Sequence, residues 1–338
     1  MRAVVQQRYG PHGDVLELRE IPQPEAGPGQ VLVRVRATSV HADVWHAVHG
    51  VPYVMRLAGS GVRGPKVAVP GTDLAGVVVG LGPGASRFAV GDRVYGEVTR
   101  SVNSWANAGT FAEFAAVDEA LLARVPGHLS FEEAAAVPTA ALIALTNLRD
   151  EGRVRAGQRV LVNGAGGAVG VWAVQLAKVF GAQVTAVDGP AKLDLLRDLG
   201  ADAVIDYTQQ DFTQAGVRYD MVFDVVSQAP FRQVRRALQP DGTFVLIGHD
   251  QYGRSGHRVL GSLRRILPLL AISPLVKQLP PIRSGPPREE NLATLTGLLQ
   301  ARRIRPVVDD RTFSLDQVVA AMDYLTTGAA KGRVVLRV

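Results

Sequence analysis

The spacing of hydrophobic and polar positions changes near residue 126 of the chain. Before that point, alternating or β-branched runs such as 31–35 (VLVRV) and 77–79 are separated by dense glycine and proline at 22–28 and 80–84. A period of two with this punctuation is typical of β-strands joined by tight turns. We therefore predict that roughly the first 120 residues form an all-β region.

Beyond residue 126 the hydrophobic residues first follow a helical spacing and then indicate strands that alternate with helices. Residues 131–148 (FEEAAAVPTAALIALTNL) predict a helix, with Ser130 as its N-cap and Glu133 placed for a capping box. The elements predicted next are strands 159–163, 183–188, 202–207, 220–227 and 243–248, with helices 167–180, 190–199 and 229–238. Such alternation predicts an α/β, doubly wound domain: a parallel sheet covered by helices on both faces.

The pattern loosens after residue 248. Residues 250–290 hold basic residues, prolines and the apolar run 266–276, which is too short to span a bilayer. We interpret this segment as a loop packed on the protein, a flap or an inserted helix pair, in preference to a segment that binds a membrane surface. The tail predicts helix 291–302, strand 307–309, helix 315–326 and strand 333–338.

Composition narrows the class of protein. The 338 residues are 47% hydrophobic and 20% charged, as expected for a globular protein of two domains. The net charge of +6 comes from scattered Lys and Arg, which argues against a nucleic-acid-binding patch. The absence of cysteine excludes disulfides, thiol catalysis and cysteine-ligated zinc. No secretion signal or membrane span is evident, so we expect a cytoplasmic protein.

Residues 159–188 (RVLVNGAGGAVGVWAVQLAKVFGAQVTAVD) contain the most informative motif. A strand runs into a glycine cluster, the cluster opens a helix, and a second strand ends at Asp188, in the order of a dinucleotide-binding βαβ unit. Gly164 and Gly166 allow a sharp turn, Gly167 allows main-chain amides to approach a diphosphate, and Gly170 allows the helix to lie close to the sheet.

The amides at the start of this helix suit a phosphate group, because they are unpaired and lie at the positive end of the helix dipole. We expect Asn163, Gly164, Gly167, Ala168 and Val169 to border the bound cofactor. The alternative is a tight turn with no ligand.

Several separated motifs identify the chain as a relative of a known superfamily. GPGQVLVRVRATSV, VPGTDLAGVVVGLGPGASRFAVGDRVYG, LSFEEAAAVPTAALIAL, the NGAGGAVG loop, LGADAVIDY and KGRVVL resemble the medium-chain dehydrogenase/reductase superfamily, in its zinc-free quinone-oxidoreductase-like branch. The resemblance implies a GroES-like β domain from residues 1–123 and 290–338. It places a Rossmann dinucleotide-binding domain at 124–289, and it implies a homo-oligomer, commonly a dimer.

The resemblance also bears on zinc. The positions that match the Cys, His and Cys ligands of zinc alcohol dehydrogenases carry His41, Thr72 and Thr139. Threonine is a poor zinc ligand, so we predict no catalytic zinc. Thr139 is expected near the nicotinamide ring, where its hydroxyl could hold the ring or simply bond the backbone at the helix start.

Without a metal, hydride transfer to a conjugated double bond needs only a hydrogen bond to the oxygen and a proton afterwards. The candidate donors are His41, His46, His49 and Tyr53, in the segment that the resemblance implies lines the substrate pocket. His46, where related quinone reductases often carry tyrosine, is the first choice as catalytic residue. A structural role for His46, apolar wall roles for Trp45 and Tyr53, and protonation by water stay open.

Some residues of the sequence favour NAD(H) as the cofactor and others favour NADP(H). Asp188 favours NAD(H), because a carboxylate accepts from ribose hydroxyls and repels a 2′-phosphate. Lys192 and Tyr207 lie where NADPH-using members of the branch are implied to contact that phosphate, so we lean slightly to NADPH. Ser227 and Gly248 should also border the cofactor.

These features predict a zinc-independent NAD(P)H oxidoreductase that reduces small electrophilic carbonyl compounds such as enones or quinones. The alternatives are a metal-free alcohol/aldehyde oxidoreductase, and a catalytically silent nucleotide-binding sensor or structural protein. An intact phosphate loop is common to all three.

Overall fold

A computed structural model describes residues 1–99, 108–248, 252, 258–280 and 285–338. The chain divides into two compact units: a first unit of Met1–Thr139 with Pro287–Val338, and a second unit of Ala140–Pro286. The first division lies after residue 139, later than the predicted 123. Residues near 130 stay with the first unit because Arg93 donates to the Leu129 carbonyl at 2.7 Å and Glu132 pairs with Arg337.

The elements are numbered in chain order. The strands are β1 (Arg2–Gln6), β2 (Leu16–Glu20), β3 (Gln30–Val40), β4 (Asp73–Leu81), β5 (Arg93–Glu97), β6 (Phe114–Asp118), β7 (Leu122–Arg124), β8 (Arg159–Asn163), β9 (Gln183–Asp188), β10 (Ala203–Asp206), β11 (Tyr219–Asp224), β12 (Leu238–Leu246), β13 (Phe313–Ser314) and β14 (Val334–Arg337). The α-helices are α1 (His12–Val15), α2 (Ala42–His49), α3 (Tyr53–Met55), α4 (Phe131–Ala135), α5 (Pro138–Thr146), α6 (Gly170–Val179), α7 (Leu193–Asp198), α8 (Phe231–Val234), α9 (Leu263–Ile272), α10 (Arg288–Gln300) and α11 (Val318–Thr327).

The first unit is built on a mainly antiparallel sheet in the order β13-β14-β3-β4-β5-β7, with β6 also paired to β3. The predicted alternation at 31–35 is confirmed, since Val31, Val33 and Val35 are buried in one core cluster. The region is not entirely β, because helix α2 occupies Ala42–His49. Its apolar side chains recur at helical spacing, and the helix ends at Gly50, whose φ of 64° suits glycine.

The predicted helix 131–148 is interrupted. Its N-terminus is as predicted, because Ser130 and Glu133 form the capping box at the start of α4. The helix stops at Ala135 and a new one, α5, begins at Pro138. Proline has no amide hydrogen and clashes with the preceding turn, so it starts a helix more readily than it continues one.

The second unit holds a parallel sheet in the order β10-β9-β8-β11-β12, which confirms the doubly wound pattern. Strands 159–163 and 183–188 are as predicted, whereas helix α6 begins at Gly170 rather than at 167. Strand β11 stops at Asp224, short of the predicted 227, because the Asp224 carboxylate accepts the amides of Val226 and Ser227 and turns the chain. Strand β12 begins earlier than predicted, at Leu238.

The remaining predictions are met in part. In 250–290, helix α9 covers Leu263–Ile272, and residues 249–251, 253–257 and 281–284 lie outside the described residues. The predicted strand 307–309 is wrong, since Val308 makes a single bridge to Arg333. In the described parts of the chain, every helix is too short or too polar to cross a membrane.

Candidate active site

The glycine loop is tied to the end of strand β9. The amides of Gly164 and Ala165 both donate to the Val187 carbonyl at 3.0 Å. The Gly166 amide donates to Oδ2 of Asp188 at 2.7 Å. Gly164 has a φ of 81°, a conformation that side chains disfavour. These contacts give the loop a fixed shape without any ligand.

Two glycines at the start of α6 have different surroundings. A Cβ at Gly170 would lie 2.2 Å from the Gly164 carbonyl oxygen, so Gly170 makes room for the loop itself, not for the sheet as predicted. A Cβ at Gly167 would meet only that same oxygen, at 3.6 Å. Among the described residues, the amides of Ala168 and Val169 donate to no acceptor. Open space beside free amides fits a phosphate group.

Asp188 is engaged by the main chain and lies beside a lysine. Its Oδ1 accepts the Gly189 amide at 2.8 Å, in addition to the Gly166 contact at Oδ2. Nζ of Lys192 lies 3.9 Å from Oδ1, and the lysine side chain is only 11% exposed, not a freely solvated surface group. The Tyr207 ring lies close to Gly189 and is exposed.

The carboxyl ends of β8 and β11 meet at a buried aspartate. Oδ1 of Asp224 accepts Nδ2 of Asn163 at 2.8 Å and the Ser227 amide at 2.9 Å. The Asp224 carbonyl oxygen lies 3.5 Å from the Gly248 amide nitrogen. Burial raises the pKa of Asp224. Asp224 thus brings together three residues predicted to border the cofactor: Asn163 and Ser227 through its carboxyl group, and Gly248 through its main-chain carbonyl.

In the first unit, a buried ion pair contacts Thr139, one of the residues predicted to border the cofactor. Asp73 is fully buried, and its Oδ2 pairs with Nη2 of Arg333 and accepts the Ser39 hydroxyl at 2.6 Å. Its Oδ1 accepts both the hydroxyl of Thr139, at 2.6 Å, and the Thr139 amide, at 3.1 Å. Burial alone would raise the pKa of Asp73, but Arg333, His41 and the two hydroxyls together lower it. Asp73 is therefore an ionised carboxylate at neutral pH.

The three positions matched to zinc ligands do not form a zinc site. Nε2 of His41 lies 2.9 Å from the Thr72 hydroxyl, and Nδ1 lies 3.6 Å from Oδ2 of Asp43. The third position, Thr139, donates its hydroxyl to Asp73. Nowhere in the described residues do three His, Cys, Asp or Glu side chains converge as metal ligands. One imidazole and two committed hydroxyls do not fit the ligand preference of zinc.

His46 and Tyr53 differ in what they can donate. Nδ1 of the buried His46 lies 2.9 Å from the Val51 carbonyl oxygen. A carbonyl only accepts, so Nδ1 carries the proton, and the lone pair of a neutral ring is at Nε2. The Tyr53 ring stacks with the Arg56 guanidinium at 4.6 Å and is 39% exposed. Among the described residues its hydroxyl has no hydrogen-bond acceptor. The tyrosine is thus the neutral donor of the two.

His49 is part of a histidine pair rather than a free donor. Its Nε2 lies 3.0 Å from Nδ1 of His12, whose Nε2 lies 2.9 Å from a carboxylate oxygen of Asp323. The Trp45 ring stacks on His49 with centroids 3.9 Å apart. Burial, and then the charges of His12 and His46, lower the pKa of His49 to about 4. The ring is therefore neutral at physiological pH.

This lowered pKa predicts a pH-dependent stability. The unfolded His49 takes up its proton near pH 6.5 but the folded one only near 4, so the folded state loses stability as the pH falls between those values. We expect wild type to lose about 1–2 kcal/mol more than His49→Phe between pH 7.5 and 4.5, allowing for partial exposure of the ring. Urea unfolding at the two pH values measures the difference. The exposed His128, replaced by Phe, is the control, and a His49→Phe slope equal to wild type would contradict the prediction.

Three residues of this site were not predicted from the sequence: Ser39, Asp73 and Arg333. All lie in motifs that carry the family resemblance, namely RVRATSV, PGTDLAG and KGRVVL. An aspartate inside an otherwise apolar strand and an arginine beside a run of aliphatic residues were the available signals, since buried charges need partners. The pairing itself spans 260 positions of sequence.

The antiparallel unit formed from both chain ends, and the parallel sheet with its glycine loop, define a two-domain nucleotide-binding dehydrogenase. Comparison with known proteins agrees. Residues 27–127 match the alcohol dehydrogenase GroES-like domain, and residues 199–336 match the zinc-binding dehydrogenase domain.

Two relatives and one solved structure resemble most of the chain. It is 34% identical to a 2-methylene-furan-3-one reductase of Solanum lycopersicum, over 96% of this chain and 76% of the relative. It is 33% identical to an NADPH-dependent alkenal/one oxidoreductase, chloroplastic, of Arabidopsis thaliana, over 99% and 79%. The quinone oxidoreductase structure from Coxiella burnetii matches with a TM-score of 0.82 and 26% identity, covering 100% of this chain and 99% of that one. The chain belongs to the medium-chain dehydrogenase/reductase superfamily, in its zinc-free quinone-oxidoreductase-like branch.

Proposed function

We propose that this protein is a metal-independent, NADPH-dependent reductase of small conjugated carbonyl compounds, namely enones or quinones. The observation that carries the proposal is the set of hydrogen bonds at the zinc-ligand positions, where Thr72 contacts His41 and Thr139 contacts Asp73. The site therefore provides hydrogen bonds but no Lewis acid. Two relatives, one named a 2-methylene-furan-3-one reductase and one an NADPH-dependent alkenal/one oxidoreductase, support the same reaction class.

A conjugated substrate needs little from the protein beyond orientation and one hydrogen bond. When bound, the cofactor supplies a hydride to the electron-poor carbon, and negative charge moves to the carbonyl oxygen. We assign the hydrogen bond to that oxygen to the Tyr53 hydroxyl, because His46 donates its Nδ1 proton to the Val51 carbonyl. The proton that completes the product comes from water.

NADPH is the cofactor that the Asp188 region favours. The aspartate has both oxygens on main-chain amides and an ammonium 3.9 Å away, so its charge is offset. Lys192 and the exposed Tyr207 hydroxyl are then the groups that would hold a 2′-phosphate. The same arrangement leaves Asp188 poorly placed to accept from ribose hydroxyls.

Replacing Lys192 with glutamine tests this assignment. We expect NADPH to bind about tenfold more weakly and NADH to change less than about twofold, because only NADPH carries the phosphate that the ammonium contacts. Titration of protein fluorescence with each nucleotide measures both constants. Lys178→Gln is the matched control, since Lys178 also pairs with an aspartate of the second unit, Asp202, at 2.8 Å. Equal losses for the two nucleotides would contradict an assignment to the phosphate.

A substrate panel tests the reaction class. With NADPH as reductant, we expect oxidation of the cofactor with enones and quinones and none with saturated aldehydes. Turnover of saturated aldehydes would support the alcohol/aldehyde alternative, and binding without turnover would support a sensor. The homodimeric state and the cytoplasmic location stay predictions, which gel filtration and cell fractionation can check.

A further inference from the structure

Helix α9 of the second unit packs on the protein along one side only. Leu269, together with Val276 beyond the helix end, packs against the core cluster of that unit, and Arg265 donates to the Ser227 carbonyl. The chain stays helical as far as Val276, whose amide donates to the Ile272 carbonyl. Residues spaced by four and by seven positions share one side of a helix. None of the ten residues of α9, all of which the structure describes, is buried.

The opposite side of this helix is apolar and exposed. Leu267, Ala271 and Leu275 follow one another at intervals of four, and all three are exposed. The side chain of Leu267 is 50% exposed and that of Leu275 is 87% exposed. Arg264 lies on the same side, one turn before Leu267. The outer side of a surface helix is usually polar, so this arrangement is unusual. We call these four residues the α9 surface.

The segment that contains the α9 surface has positive charges and no negative ones. Lys and Arg occur throughout the chain, but between Asp250 and Glu289 the sequence holds seven of them and no acidic residue. The net charge of the whole chain is +6, and six less seven leaves the rest of the chain at −1. Arg258, Arg264 and Lys277 are exposed, and none of them forms an ion pair with a described residue.

We propose that the α9 surface docks on the anionic face of a lipid bilayer. Ten residues are too few to cross the hydrocarbon core, so the helix would lie parallel to the membrane. Its exposed leucines would enter the boundary between headgroups and acyl chains, and its cations would meet the lipid phosphates. The inner side of α9 stays packed on the second unit, as the sequence predicts for this segment. The proposal goes beyond the reductase function and does not depend on it.

Two other occupants match the α9 surface less well. In a twofold-symmetric dimer the surface would pack against itself and bring the cations of both copies together, with no acidic residue in the segment to offset them. A nucleic acid is bound by cations together with polar or aromatic side chains, and residues 258–280 contain no aromatic residue. A bilayer offers both phosphate groups for the cations and hydrocarbon for the leucines.

Flotation of the full chain with lipid vesicles tests the proposal. We expect vesicles of phosphatidylglycerol and phosphatidylcholine in equal amounts to bind the protein at least about tenfold more strongly than vesicles of phosphatidylcholine alone. Binding should weaken as NaCl is raised from about 0.1 M to about 1 M, because the screening length falls from about 10 Å to about 3 Å.

Variants of the leucines test the apolar contribution. Leu267→Gln and Leu275→Gln should each bind the mixed vesicles about tenfold more weakly, because each removes one aliphatic side chain from the lipid boundary. Leu81→Gln is the matched control, since Leu81 is 45% exposed but lies at the end of β4 in the first unit. Its binding should change less than about twofold.

A charge reversal tests the electrostatic contribution. Arg264→Glu should weaken binding to the mixed vesicles about thirtyfold, because it exchanges attraction to the lipid phosphates for repulsion. Arg303→Glu changes the net charge of the protein by the same amount at an exposed position of the first unit, and we expect less than about a threefold loss. Thermal unfolding, which should be the same for all five proteins, shows that the variants are folded.

The outcomes are distinct. Failure of wild type to bind the mixed vesicles would overturn the proposal, and so would binding that Leu275→Gln and Arg264→Glu leave unchanged. Tighter binding of a short duplex DNA than of the mixed vesicles would instead indicate a nucleic-acid site. A smaller particle for Leu275→Gln than for wild type in gel filtration would indicate a contact between subunits, which also overturns the proposal. Oxidation of NADPH with an enone reports separately on the reductase function.

Discussion

Replacing Gly167 with phenylalanine should weaken NADPH binding at least about a hundredfold while the protein stays folded. A Cβ at this position has 3.6 Å to its nearest neighbour, and the backbone is not in the left-handed region, so the fold tolerates a side chain there. The ring would fill the space beside the amides of Ala168 and Val169. Loss of two charge-assisted hydrogen bonds to phosphate, each about 1.5–3 kcal/mol, gives the expected factor.

Two further glycine variants make this result specific. Gly170→Ala should destabilise the fold itself, because its Cβ would lie 2.2 Å from the Gly164 oxygen and 2.6 Å from Cα of Ala165. Gly127→Phe, at an open loop position, should change neither stability nor binding. Fluorescence titration and thermal unfolding of all three variants separate the effects. Undiminished NADPH affinity in a folded Gly167→Phe protein would place the diphosphate elsewhere.

Breaking the buried ion pair should have the largest effect on stability. Arg333→Met leaves the fully buried Asp73 carboxylate without its cation, and removal of one partner of such a pair costs about 3–5 kcal/mol. The neighbouring Arg337→Met is the control, because Arg337 forms a more exposed pair with Glu132. An exposed pair of this kind contributes about 0–1 kcal/mol. The shift in urea midpoint, followed by tryptophan fluorescence, measures both losses.

The double variant Asp73→Leu with Arg333→Met shows whether the stability of the protein depends more on the two buried charges or on the two hydroxyl groups. Apolar replacement of a buried ion pair is often close to neutral. Here it would leave the hydroxyls of Ser39 and Thr139 without their acceptor, and we expect only partial recovery of the lost stability. Full recovery would show that the hydroxyls do not depend on Asp73. An Arg333→Met loss no larger than that of Arg337→Met would show that the pair contributes little.

Most of the second unit could be predicted because its signals are local. The apolar periods gave strands 159–163 and 183–188, and the glycine pattern placed the loop between them. Two errors occurred where residues act on the backbone. In this unit Asp224 ends strand β11 by accepting two amides, and in the first unit Pro138 divides the helix predicted over 131–148. The spacing of apolar residues along the chain indicates neither effect.

The surroundings of the candidate residues were less predictable. The sequence favoured His46 as the catalytic residue, which stays a prediction, and the structure adds that its Nδ1 donates to the Val51 carbonyl. Lys192 was proposed as a cofactor contact from the resemblance alone, and the structure adds that its stem packs against the glycine loop. Both depend on how a side chain is surrounded, which neither residue type nor spacing specifies.

The sequence by itself determined the β-rich first unit, the parallel α/β unit and the glycine loop, because each depends on residue type and short-range spacing, whereas the residues at the zinc-ligand positions were identified through the family resemblance. Only the tertiary structure decided that Arg333 reaches Asp73 and that Thr139 donates to it. Strand β14 pairs with β3, and β3 with β4, which brings residues 260 positions apart into contact. The direction of a hydrogen bond follows from the charge of the partner, and the partner is known only when the sheet has formed.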